Sequence, residues 1–212
     1  MNDFKQQDFR CVLAHEYGHF AHRDTAGGDV ALRVRNDIWK FYLAMRAAGQ
    51  ATWMNVAFHF LRLYNFIFRR ISHGATRLQE VLADRVAAQA YGAAAFEGGL
   101  RHAIRRNLEF HQQADQEIKA ALEAKRPLHN LYESTSTLPE TVEREYEQAL
   151  NRATTDDDTH PAPKDRFRLI ARIPAPTHPV ATGYVWDLFK DPAAIQREMT
   201  EIVEKRIARH RG

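Results

Sequence analysis

The sequence predicts a mainly α-helical protein, a helical bundle with little or no sheet. Apolar residues recur at helical intervals along most of the 212 residues, and glycine or proline interrupts them where helices would end. Only the stretch from Tyr184 to Trp186 resembles a strand. With 44% hydrophobic and 27% charged residues, the composition is that of an ordinary globular protein with one core. We therefore predict a single domain over residues 1–212.

The first helix surrounds residues 11–24, and its pattern ends at Gly27-Gly28. We predict further breaks at Gly74 and at Gly98-Gly99, because glycine disfavours helix interiors. Pro139 and Pro192 stand just inside two predicted helix starts, where proline is well tolerated. The helices after the first are expected at residues 29–48, 52–70, 75–92, 100–125, 138–151, 166–172 and 191–209.

The first helix contains the pattern His15-Glu16-x-x-His19. Histidines four residues apart on a helix lie on one face and can bind one metal ion, while Glu16 points to the side where a bound water would sit. A chain with 11 histidines can also form this pattern by chance. A third ligand elsewhere in the sequence would therefore strengthen the prediction of a zinc site.

Glu80 and Asp84 also stand four residues apart, on the helix predicted after Gly74. Because Arg77 and Arg85 are close in sequence, one interpretation is a surface helix with ion pairs. Three small residues favour close packing against another helix instead: Ala83, Ala87 and Ala88. A catalytic zinc needs one more protein ligand beside two histidines, and Glu80 is the best-placed residue for it. Asp84 would then accept the outer N–H of a ligating histidine.

Composition excludes some other classes of protein. The 30 Lys and Arg nearly balance the 27 Asp and Glu, so nucleic-acid binding is not indicated. The single cysteine, Cys11, excludes an internal disulfide, and we interpret it as a small buried residue rather than a ligand. The polar start of the chain does not have the form of a signal peptide.

An aromatic segment, residues 53–70, contains the longest apolar run of the sequence. Polar residues interrupt it, and it is shorter than the roughly 20 apolar residues that span a bilayer. We expect a core helix. The alternative is a helix that rests on a membrane surface or on a missing membrane domain, because the aromatic residues are followed by Arg69 and Arg70.

Three motifs together resemble the HtpX-type and CAAX-prenyl-protease family of zinc metallopeptidases, which are gluzincins. These are HEYGH at residues 15–19, Glu80-x-x-x-Asp84, and His160-Pro161 followed by Arg166. The resemblance covers residues 8 to 172 approximately. It implies a zincin-like catalytic domain that binds one zinc ion and hydrolyses peptide or protein substrates.

The resemblance also implies a role for each matching residue. The implied zinc ligands are His15, His19 and Glu80. Glu16 would be the general base, and Asp84 would orient a ligating histidine. His160 is a candidate donor to the oxyanion, although it could equally be a loop histidine that orders the chain beside Pro161. Arg166 would approach the substrate side of the metal.

Two departures from the family pattern matter. Members commonly have two prolines after the histidine, whereas this chain reads His160-Pro161-Ala162-Pro163. Members also carry membrane helices and a strand before the first motif. We therefore expect a soluble catalytic fragment of a longer, membrane-associated protein whose catalytic domain is cytoplasmic. The alternative function is a non-catalytic helical module that binds zinc or a partner, or associates with a membrane surface.

Overall fold

The computed structural model describes residues 3–21, 24–133, 140–174, 177 and 179–209. The fold is mainly helical, as predicted, and the only pairing of extended backbone within these ranges is an isolated antiparallel bridge between Lys5 and Tyr184. A short 3-10 helix occupies Val185–Leu188. The α-helices are α1 Gln6–Ala21, α2 Asp24–Ala47, α3 Val56–Tyr91, α4 Ala93–Ala124, α5 Glu140–Asn151, α6 Pro163–Ile170 and α7 Pro192–Arg209.

The predicted helix breaks at three glycine sites are wrong. Helix α2 continues through Gly27-Gly28, α3 through Gly74 and α4 through Gly98-Gly99. A glycine inside a helix costs only about 1 kcal/mol relative to alanine, which packing can offset. A Cβ added at Gly99 would lie 2.9 Å from the backbone oxygen of Asp8. The glycine in α4 therefore permits close approach of α1.

Other helix ends agree more closely with the sequence prediction. Helix α7 begins at Pro192, and its first turn is capped by Asp191, whose Oδ1 accepts a hydrogen bond from the amide of Ala194 at 2.9 Å. Helix α6 begins at Pro163, three residues before the predicted start, and ends at Ile170. The predicted start of the preceding helix at Pro139 lies outside the described residues.

The core forms where α1 packs against α3 and α4. Its buried cluster consists mainly of small residues: Cys11, Ala87, Ala88, Ala95, Phe96 and Ile170. Cys11 is fully buried, and its thiol lies 3.6 Å from the backbone oxygen of Ala87. Burial, together with the nearby carboxylates of Asp8 and Asp84, raises the pKa of this thiol to about 12. Cys11 therefore contributes to packing, as predicted from the sequence.

The prediction of a core helix for the aromatic segment is wrong. Of residues 53–70, Phe58 alone is buried, and it stacks on Tyr42 of α2. Helix α2 and the first half of α3 form a hairpin. Ile38 of this hairpin is also buried, but many large apolar side chains of the hairpin are exposed. These are Trp39, Phe41, Leu43, Trp53, Met54, Val56, Phe60, Leu63, Tyr64, Phe66, Ile67 and Ile71. Among the described residues, none of the helices combines the length and hydropathy that crossing a membrane requires.

Candidate metal centre

Three predicted ligands converge on one point between α1 and α3. Nε2 of His15 and Nε2 of His19 are 3.2 Å apart. The two carboxylate oxygens of Glu80 lie 3.5 Å from these nitrogens, Oε2 facing His15 and Oε1 facing His19. Tetrahedral zinc with bonds of about 2.0–2.1 Å separates its ligand atoms by about 3.3 Å. The spacing of the three groups therefore fits a zinc ion.

Helices α1 and α3 are in close contact beside the three predicted ligands. A Cβ added at Gly18 would lie 2.9 Å from Cα and 3.1 Å from Cβ of Ala83. Because Gly18 precedes His19 and Ala83 follows Glu80 by three residues, the contact lies beside the ligands. Ala83 is predicted from the sequence as a packing residue, whereas Gly18 is not. The available signal was a glycine inside the helix that carries both histidines.

Asp84 is buried behind the ligands, with 1% of its side chain exposed. It accepts hydrogen bonds from Arg166, at 2.8 Å from Nε and 2.5 Å from Nη2. Burial alone would raise the pKa of Asp84, but the hydrogen bonds and charges of Arg166 and His15 outweigh this effect and lower the pKa below its usual value. Asp84 is therefore ionised in the folded protein at neutral pH.

His15 faces Asp84 with the ring nitrogen that points away from the other ligands. Its Nδ1 is buried and lies 2.9 Å from Oδ1 of Asp84. A carboxylate in this position favours the tautomer protonated at Nδ1. The lone pair of Nε2 is then directed towards Glu80 and His19, as a metal ligand requires.

Arg166 connects the two carboxylates of α3. Besides its bonds to Asp84, its Nη2 lies 3.6 Å from Oε2 of Glu80, and its guanidinium stacks over the ring of Phe96 at 5.3 Å. The resemblance placed Arg166 on the substrate side of the metal. In the structure it lines the same cavity as the ligands, but its donors are directed to Asp84.

His160 approaches the ligands from the loop before α6. Its Nε2 lies 3.2 Å from Oε1 of Glu80, while 59% of its side chain stays exposed. Its Nδ1 is 2.9 Å from the hydroxyl of Thr159. The structure thus brings this loop histidine to the predicted ligands.

A cavity of about 370 Å³ opens in front of the three ligands. Glu16, which is exposed, lies in its wall together with His160 and Arg166. Four apolar residues of α1 and α4 also line the cavity: Val12, Phe96, Leu100 and Ala103. The cavity is large enough for one side chain of a substrate and the atoms that react beside it.

Two imidazoles and a carboxylate, with a glutamate next to the first imidazole, are the arrangement of a metallopeptidase of the HExxH class. The family model of peptidase family M48 matches residues 1–173. The chain belongs to this family, and it is a zinc metallopeptidase with a zincin-like fold. No curated protein and no solved structure matches the chain.

Proposed function

We propose that this chain is an endopeptidase that hydrolyses peptide bonds at a zinc ion held by His15, His19 and Glu80. The observation that carries the proposal is the spacing of 3.2–3.5 Å between the two imidazole nitrogens and the carboxylate oxygens of Glu80. A zinc ion bound there would polarise the substrate carbonyl and lower the pKa of its water from 15.7 to about 7. Peptides and proteins are the substrates of such an enzyme.

Glu16 is the general base that carries out the proton transfers. It stands beside His15 on α1 and lies in the wall of the cavity, where it can take a proton from the attacking water and deliver it to the leaving amine. His160 donates to the carbonyl oxygen as negative charge develops there, and its position 3.2 Å from Glu80 supports this role. Asp84 and Arg166 hold His15 and Glu80 in orientation.

The alternative is a module in which zinc is only structural. Structural zinc sites are usually closed by four protein ligands and favour cysteine. The group found among the described residues offers three ligands, and Cys11 is committed to the core. An open position beside a cavity favours catalysis over a structural role.

Zinc binding gives the first test. After treatment with a chelator, the protein is expected to rebind one zinc ion per chain and to regain hydrolysis of a labelled protein substrate. Glu80→Gln should weaken zinc binding about tenfold or more, because an amide oxygen replaces a charged ligand. Isothermal calorimetry measures the affinity, and Glu123→Gln, an exposed glutamate on α4, is the matched control. Unchanged affinity in Glu80→Gln would exclude Glu80 as a ligand.

We further propose that the α2–α3 hairpin rests on an anionic membrane surface. Its large apolar side chains include Trp53 and Phe60, which are 83% and 67% exposed. Residues 33–73 contain seven Lys or Arg and one acidic residue, whereas the whole chain has 30 against 27. Apolar side chains among basic residues are typical of segments that bind the surface of anionic lipid.

Vesicle sedimentation tests this proposal. The protein is expected to bind phosphatidylcholine vesicles that contain phosphatidylglycerol, and to bind less at high salt. Replacing Phe60 and Phe66 together by serine should weaken binding at least about tenfold, because two aromatic side chains no longer enter the lipid. Leu169→Ser, on α6 and outside the hairpin, is the control. Equal binding by the double variant and the wild type would refute the proposed surface.

A further inference from the structure

The loop that carries His160 is attached to α3. We call residues 152–162, between α5 and α6, the His160 loop. One guanidinium nitrogen of α3, Nη1 of Arg77, donates to three of its backbone oxygens, those of Thr155, Asp156 and Asp158, at 3.3, 3.2 and 2.9 Å. A charged donor that bonds three carbonyl groups can restrain a loop that has no secondary structure of its own.

Further contacts flank this anchor. His73 of α3 is buried, and its Nδ1 lies 3.3 Å from the backbone oxygen of Asp156. Arg69 pairs with Asp157 at 3.1 Å, and Arg70 pairs with Asp156 at 2.5 Å. Because these ion pairs are exposed on both sides, each contributes little. Arg77 is therefore the principal link between the helix and the loop.

The loop is also folded on itself, so that the anchor restrains it as a unit. The carboxylate of Asp158 accepts from Arg152 at 2.8 Å and from the amide of Thr155 at 2.8 Å. Near the other end, the hydroxyl of Thr154 accepts from the amide of Ala162 at 2.7 Å. These bonds connect the anchored residues to the segment that contains His160.

We propose that Arg77 is a positioning residue, which holds the His160 loop against α3 so that His160 stays at the edge of the catalytic cavity. Arg77 precedes Glu80 by three residues on the same helix. One rigid element would thus position both the metal-binding carboxylate of Glu80 and His160, whose Nε2 lies 3.2 Å from that carboxylate. The inference rests on the proposed role of His160 as a donor to the substrate carbonyl.

Hydrogen exchange of backbone amides tests the anchor without reference to activity. In Arg77→Ala, the amides of Thr155 and Asp158, which are bonded within the loop, should exchange about tenfold faster, because the loop opens more often. Arg77→Lys should restore part of the protection. Arg85→Ala, an exposed arginine two turns further along α3, should leave these amides unchanged. Exchange that is equally slow in Arg77→Ala would refute the anchor.

Kinetics of the zinc-loaded protein on labelled casein test the consequence. Arg77→Ala should lower kcat about tenfold, with KM and zinc affinity changed less than about twofold, because the loop is displaced and the metal site is not. If Arg77 acts through His160, the Arg77→Ala/His160→Ala double variant should have the kcat of His160→Ala alone. Losses that multiply would refute the proposal.

The two proposals fail in different ways. Full kcat in His160→Ala would refute the donor role of His160 and, with it, the positioning role of Arg77. A large loss in His160→Ala, combined with normal exchange and normal kcat in Arg77→Ala, would refute the positioning role alone and leave the proposed function intact.

Discussion

Glu16→Gln is expected to bind zinc as tightly as the wild type and to lose about a thousandfold in kcat. Glutamine keeps the shape of the side chain but cannot accept the proton of the attacking water, and general base catalysis contributes about 10²–10⁴ in rate. The ligand atoms belong to other residues, whose spacing of 3.2–3.5 Å does not depend on Glu16. Steady-state hydrolysis of a labelled protein, with zinc content measured on the same sample, gives both quantities.

The control for this prediction is again Glu123→Gln, which removes the same charge from the exposed face of α4. Retained turnover in Glu16→Gln would exclude Glu16 as the base. Loss of zinc together with turnover would show that Glu16 maintains the metal site rather than the proton transfer.

Gly18→Ala is expected to weaken zinc binding about a hundredfold and to destabilise the fold by about 1–3 kcal/mol. The new methyl group would stand 2.9 Å from Cα of Ala83, and a backbone atom cannot move aside as a flexible side chain can. Helix α1 must therefore shift away from α3, which separates His15 and His19 from Glu80. Calorimetric zinc titration and urea denaturation measure the two effects.

Gly74→Ala is the matched control, because Gly74 is also a helix-interior glycine and a Cβ there would meet nothing within 4 Å. Alanine should stabilise α3 by about 0.5–1 kcal/mol at such a site and leave zinc affinity unchanged. Normal zinc affinity in Gly18→Ala would show that the helices tolerate the extra separation and that this contact does not set the ligand spacing.

Two of the three proposed ligands could be paired from the sequence because their geometry is local. Residues four apart on one helix share a face, so that His15 and His19 could be paired before any tertiary structure was known. The pairing of these histidines with Glu80 depended on the resemblance and on the small residues around Ala83. The prediction could not include the contact of Gly18 with Ala83, since a missing side chain leaves no periodic signal.

Burial of the aromatic segment could not be read from its pattern. An apolar stripe predicts that one helix face avoids water, but the pattern does not distinguish a protein core from a lipid surface. In α3 the stripe around Phe60 remains exposed.

The predicted helix breaks at glycine were wrong because packing was not considered. The cost of Gly74 or Gly98 in a helix is about 1 kcal/mol, less than a long packed helix gains from its contacts.

The contacts between Arg77 and the His160 loop could not be predicted from the sequence. Arg77 and Asp158 are separated by 81 residues, and backbone oxygens carry no sequence signature. Ion pairs were one interpretation of Arg77 from the sequence, whereas in the structure its Nη1 donates to carbonyl groups. Likewise, the pairing of Arg166 with Asp84 could be identified only from the fold.

Because α3 is unbroken, it fixes the distance between its outer end and the proposed metal centre. Phe60 lies near the exposed outer end of α3, and Glu80 lies at the proposed metal centre. They are twenty residues apart on one helix, which corresponds to about 30 Å along the axis. A substrate polypeptide bound at the outer end of α3 would need about nine extended residues to reach the position where its peptide bond is cut. A substrate with fewer residues beyond its point of attachment would not reach the proposed metal centre and would not be cut. The length of α3 between Phe60 and Glu80 would thus determine which substrates are hydrolysed.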